Sequence, residues 1–235
     1  MADLFDYLKW RGDLSFTKDP PNPVDALIFS ALSYISFGDS MAERPYIPIS
    51  LEDASEEFLK RTDIQENVRV KTDMSLLMAA AETRRFGSAM LLEYRSLLIP
   101  EEETQFAAIT FLLDDNSAFL AFRGTDYSLT GWKEDFNMTF QETIPAQRLA
   151  LQYTEDFASK YIMPMRLGGH SKGGNLAVFA AVKSDPKIRQ RILAVYNNDG
   201  PGFTDYVMHL TAHCTATLFT LKGWIAARAA LTRQR

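Results

Sequence analysis

Gly169-His170-Ser171-Lys172-Gly173-Gly174 sets a serine between glycines at positions −2 and +2. A mostly apolar run, Tyr161 to Leu167, precedes it, and Asn175 to Val182, rich in small and apolar residues, follows. A strand, a sharp turn and a helix in that order raise one hydroxyl above a sheet on a strained backbone. The flanking positions must lack a Cβ because strand and helix nearly touch there. The chemistry this implies is nucleophilic attack by Ser171 on an acyl carbon. A glycine-rich turn with an incidental serine is the plainer alternative. A phosphate-binding loop is excluded, since no Gly-Lys-Ser/Thr stands at the required spacing. Ser15-Phe16-Thr17-Lys18 has the S-x-x-K pattern of penicillin-recognising enzymes, but Asp19-Pro20-Pro21 follows where a helix should continue.

Acyl transfer through serine also needs a base, a group that orients the base, and donors for the developing oxyanion. Phe122-Arg123-Gly124-Thr125-Asp126 ends an apolar strand at a glycine and a threonine, offering the backbone N–H and hydroxyl of Thr125. The second donor expected is the backbone N–H of Lys172, directly after the serine. For the orienting acid, Asp199 closes a predicted strand and Asp205 is the second choice, with Asp199 also readable as a turn residue between Asn198 and Gly200. For the base, His209 and His213 are the candidates. His170 adjoins the serine but is expected to point away from it and pack.

The elements that must position these groups begin with helices. Asp3–Trp10, Val24–Phe37, a segment from the Ser50/Asp53 capping box to about Arg61, and Asp73–Arg85 carry helical spacing. From Ser88 the period changes. Met90–Arg95, Phe106–Leu113 and Ala118–Arg123 read as strands, with a tight turn at 114–117. Helices near Trp132–Phe140 and Pro145–Tyr161, the elbow strand, its helix, and a strand Ile192–Tyr196 complete the order. The fold class predicted is α/β: a mixed sheet, α/β-hydrolase-like, with helices on both faces and a helical N-terminal segment. One domain over 1–235 is expected, with a mainly helical part at 1–87, the sheet core and elbow at 88–205, and an atypical basic tail at 206–235.

The paired Phe-Arg-Gly-Thr and Gly-His-Ser-Lys-Gly-Gly signatures resemble those of the class 3 (fungal-type) lipases. The spacing of 46 residues from Thr125 to Ser171, and Trp132 seven residues after Thr125, fit that resemblance. The start Phe5 to Asp13, the run Gly131 to Asn137, and Asn198-Asp199-Gly200-Pro201-Gly202-Phe203 are similar to a bacterial branch of lipase-like proteins, a likeness that extends to about residue 205. The resemblance implies Ser171 as nucleophile, Thr125 and Lys172 as the oxyanion hole, and the segment around Trp132 beside the substrate entrance, in the manner of a lid. An apolar entrance at Trp132, Phe136, Met138 and Phe140 would suit an acyl chain, though apolar residues at such spacing more often pack into a core.

Composition narrows the alternatives. The chain has 235 residues, 46% hydrophobic and 23% charged, and no apolar run approaches the ~20 residues of a membrane helix. A single cysteine, Cys214, and a start without a basic leader lead to the expectation of a cytoplasmic protein. A net charge of −5 argues against nucleic acid as a partner; of the three histidines only His209 and His213 stand at a ligand spacing, a weak zinc signal by itself, and no His-Glu-x-x-His motif is present. No cofactor is expected. Residues 206–235 contain no acid and carry +4, leaving −9 for the rest. Only 64 residues follow Ser171, whereas lipase-like relatives place an acid and then a histidine late in the chain. Two readings of this end are open: a basic terminal helix packed on an acidic body, or a truncated or altered form of a longer protein. The leading function is a serine-dependent hydrolase of small-molecule or lipid carboxylic esters. The alternative is a non-catalytic scaffold lacking the triad histidine, and thioester or peptide substrates would use the same machinery.

Overall fold

The computed structural model describes residues 2–38, 41, 47–64 and 70–203. Six strands form one mixed sheet whose spatial order is their sequence order: β1 (Ile49–Ser50), β2 (Met90–Ile99), β3 (Thr104–Leu112), β4 (Ala118–Phe122), β5 (Met165–His170) and β6 (Ile192–Asn198). The first four pair antiparallel, and β4, β5 and β6 run parallel. Parallel neighbours need crossovers. The first uses α6 (Leu129–Asn137) and α7 (Pro145–Lys160); the second uses α8 (Lys172–Lys183) and α9 (Pro186–Arg189). This arrangement brings the carboxyl ends of β4, β5 and β6 side by side, the edge at which open α/β sheets bind ligands.

Both faces of the sheet are covered, as an uninterrupted buried β4 requires. Phe119 and Ala121 join the core under α1 (Leu4–Arg11), α2 (Pro23–Leu32), α3 (Leu51–Leu59), α4 (Lys71–Ala81) and α5 (Arg84–Gly87). Ala118, Leu120 and Phe122 join the opposite core beneath α7 and α8. Phe29 centres the first core, with ring centroids 4.8 to 5.8 Å from Phe16, Phe86, Phe111 and Phe119. There the buried Arg85 guanidinium meets the buried Asp25 carboxylate at 2.6 and 2.7 Å and donates to the carbonyls of Leu14 and Asp19 at 3.0 Å. Charges tolerate such burial only when their hydrogen bonds are filled.

Several predicted boundaries move, each for a local reason. The second helix ends at Leu32 rather than Phe37. The Ser30 hydroxyl donates to the Ala26 carbonyl and the Ser33 hydroxyl to the Ser30 carbonyl, side-chain bonds that compete with the helical ladder. The helix expected over Asp73–Arg85 breaks after Ala81, because Thr83 caps a new turn by accepting from the Phe86 N–H at 3.1 Å. The elbow strand, expected within Tyr161–Leu167, starts at Met165 and runs through Gly168 and Gly169 to His170. A Cβ on Gly168 would lie 2.6 Å from the Phe119 ring, so tertiary packing selects glycine there.

Candidate active site

Ser171 joins β5 to α8 with φ 56° and ψ −132°, backbone space that non-glycine residues avoid. Neighbouring bonds hold it there. Its N–H donates to the Asn198 carbonyl at 2.9 Å, and its carbonyl accepts from the Gly174 N–H at 2.9 Å. The glycines on either side are sterically required: a Cβ on Gly169 would stand 2.6 Å from the Phe122 carbonyl oxygen, and one on Gly173 would collide with that same carbonyl. The result is a half-buried Ser171 at the mouth of the parallel strands.

Thr125 follows the end of β4, whose Phe122 pairs with Gly169 of β5, so the two strand ends carry Thr125 and Ser171 as neighbours. Gly124 packs so closely that an added Cβ would stand 2.5 Å from the His170 carbonyl oxygen. The backbone N–H groups of Thr125 and of Lys172, which opens α8, meet no acceptor among the described residues. Unfilled N–H groups at a helix start are suited to an anionic oxygen. The Thr125 hydroxyl, offered by the sequence as a further donor, instead donates to the Asp135 carboxylate, 2.6 Å from both oxygens. Its backbone N–H is the group left for a ligand.

Asp199 follows β6 with φ 56° and is exposed. The Gly200 N–H donates to Asn197 Oδ1 at 2.9 Å, forming a turn of the type asparagine favours. Asn175 of α8 donates to the Gly202 carbonyl at 3.0 Å and the Pro201 carbonyl at 3.3 Å, tying this turn to the elbow helix. Asp199 is thus a turn residue one position beyond the carbonyl that holds Ser171. Its carboxylate forms no hydrogen bond among the described residues. His170 turns away toward α2, its Nδ1 3.2 Å from the Tyr34 hydroxyl, as its place on the strand predicts. Asp205, His209, His213 and Cys214 lie outside the described residues.

Of the four apolar residues at the expected entrance, Met138 packs against the core beneath α7 and α8, and the other three face outward. Leu129, Trp132 and Phe136, at positions i, i+3 and i+7, are 71%, 63% and 69% exposed, and Phe140 is exposed beside them. Leu129, Trp132 and Phe136 line an open cleft of about 270 Å³ together with Glu103, Lys133 and Asn137. The inward side of α6 carries the acids. Glu134 is fully buried and meets the ammonium of Lys172, itself 1% exposed, at 2.7 Å. Glu134, Asp135 and Gln105 are residues that sequence reasoning missed. The available signal was Lys172 itself, a lysine at the start of an otherwise apolar buried helix, which demands a counter-charge.

Among the described residues no group of three or more His, Cys, Asp or Glu is arranged to hold a metal ion, and no helix is long and apolar enough to cross a membrane. A family model described as Mbeg1-like matches residues 80–218, more than half of the chain, so the protein belongs to that family. The match spans Thr125, the acidic face of α6, Ser171 and Asp199. No curated protein and no solved structure matches the chain.

Proposed function

From membership of the Mbeg1-like family, a lipase-like family, and from the geometry around Ser171, we propose a carboxylic-ester hydrolase of the α/β-hydrolase type, akin to class 3 lipases. The observation that carries this reading is a serine in left-handed backbone space between two glycines that cannot accept a Cβ. Strain of this kind persists only where the surrounding structure holds it, and on a nucleophile elbow it serves to lift the serine Oγ above the sheet at the strand ends.

In this reading Oγ of Ser171 attacks the ester carbonyl carbon, forming a C–O bond as its proton passes to a base. The carbonyl oxygen gains negative charge, and the N–H groups of Thr125 and Lys172 stabilise it. The tetrahedral centre collapses, the C–O bond to the alcohol breaks, and the alcohol leaves with that proton. Water then attacks the acyl-enzyme by the same route and releases the acid. Asp199, one position beyond the Asn198 carbonyl that holds Ser171, is the candidate acid, with Asp205 second and His209 and His213 the candidate bases. The exposed apolar residues of α6 suit an ester with an apolar acyl part. The mechanism uses no organic cofactor and no metal.

A second reading, a scaffold without catalysis, draws on Asp199 as an exposed turn residue beyond β6. Fluorophosphonate labelling of the full chain, read by intact mass, separates the two. The hydrolase adds one phosphonyl group in the wild type and none in Ser171→Ala, and whichever of His209→Ala or His213→Ala also fails identifies the base. A folded wild type that remains unlabelled leaves the scaffold.

A further inference from the structure

Lys172 has an ammonium with three protons and, out of water, three acceptors: the Gln105 carbonyl at 2.9 Å, Gln105 Oε1 at 2.8 Å and Glu134 Oε2 at 2.7 Å. Glu134 is equally committed. Its Oε2 also accepts from the Gln105 N–H at 3.1 Å, and its Oε1 accepts from the Ala146 N–H at 3.0 Å. One carboxylate therefore joins the start of β3, the first turn of α7 and the first residue of α8 to α6.

Burial of such a pair is a poor stability device, because desolvation offsets most of the attraction and an apolar pair of similar volume does as well. The network even has a cost. With Oε1 of Gln105 turned to Lys172, the amide Nε2 of Gln105 is buried with no hydrogen-bond partner among the described residues. What ion pairs supply that apolar contacts do not is direction. The residues so directed are informative: Lys172 holds one proposed oxyanion donor, and Asp135, adjacent to Glu134 on α6, holds Thr125, the other.

The geometry points to Glu134 and Lys172 as positioning residues: their buried pair sets α6 against the elbow and so fixes the spacing of the Thr125 and Lys172 N–H groups. The inference rests on the reading of Ser171 as nucleophile for its catalytic consequence, but not for the clamp itself. Neither side chain touches the reacting atoms.

The test uses the full chain as wild type, Glu134→Gln, Lys172→Met and the double variant Glu134→Leu/Lys172→Met, which removes both charges and so avoids an orphaned one. Two quantities are read on the folded fraction: the limiting rate and half-saturating concentration of fluorophosphonate at Ser171, and amide exchange by mass spectrometry over 123–137 and 171–176. The double variant is expected to fold cooperatively, to lose about tenfold or more in limiting rate with half-saturation within about twofold, and to exchange faster in both segments. A folded double variant with wild-type limiting rate, or with unchanged exchange, overturns the assignment. A wild type that never labels sinks the hydrolase reading instead, and exchange alone then decides whether the clamp exists.

Discussion

Two helices flank Ser171 and obey opposite rules. In α8 every residue from Lys172 to Val182 is buried, and apart from Lys172 and Asn175 that stretch is apolar or glycine. In α6 only Gly131 and Glu134 are buried, while the large apolar residues face outward. The first helix is held by area removed from water, which is strong and indifferent to direction. The second is held by directed polar bonds: Glu134 to Lys172, Asp135 to Thr125, and, at its outer edge, Asn137 to Glu103 at 2.9 Å and Lys133 near Glu103 at 3.5 Å. The hydrogen bond from Asn137, with the Lys133 charge, keeps the Glu103 carboxyl below its ordinary range. The lesson is that the region around Ser171 combines a rigid base with a cover specified by orientation. Displacing α6 breaks a countable set of bonds, whereas displacing α8 opens the core.

That contrast is breakable by mutation. The largest effect belongs to the apolar side: Leu176→Ala in α8 is expected to cost about 2 to 5 kcal/mol in chemical denaturation, while Trp132→Ser in α6 changes stability by no more than ~0.5 kcal/mol. Equal costs would show that α6 is packed like α8. Next, Gly173→Ala forces a Cβ into the Phe122 carbonyl and is expected to cost on the order of 3 kcal/mol. Gly202→Ala, with nothing within 4 Å of the added atom, serves as its control and melts like the wild type. Smallest is a gain. Ser171→Gly relieves the backbone at φ 56° and is expected to stabilise the fold by roughly 1 kcal/mol while abolishing labelling. A loss of stability there would mean that the serine side chain, and not the backbone, supports the turn.

The sheet core was legible because its signals are local. Nearly continuous apolar runs at Phe106–Leu113 and Ala118–Arg123, with the turn at 114–117 between them, mark two neighbouring strands to within two residues, and the glycine spacing around Ser171 marks the elbow's steric demand. Helix ends were less legible, since hydroxyls such as those of Ser30 and Thr83 can either continue a helix or stop it. The role of Gly168 was not legible, because a strand glycine acquires its meaning only from the Phe119 ring on the adjacent strand.

The sequence by itself determined that Ser171 stands on an elbow: the residues that make the turn lie within a few positions of one another, and their steric requirements are written in their side chains. It also determined which strands carry Thr125 and Asp199. Only the tertiary structure decided which way α6 faces. An apolar period of Leu129, Trp132 and Phe136 fits a buried face and an exposed one equally well. The choice is made by Lys172, 38 residues away, whose buried ammonium turns Glu134 inward because an unpaired charge there would cost more than an apolar face left in water.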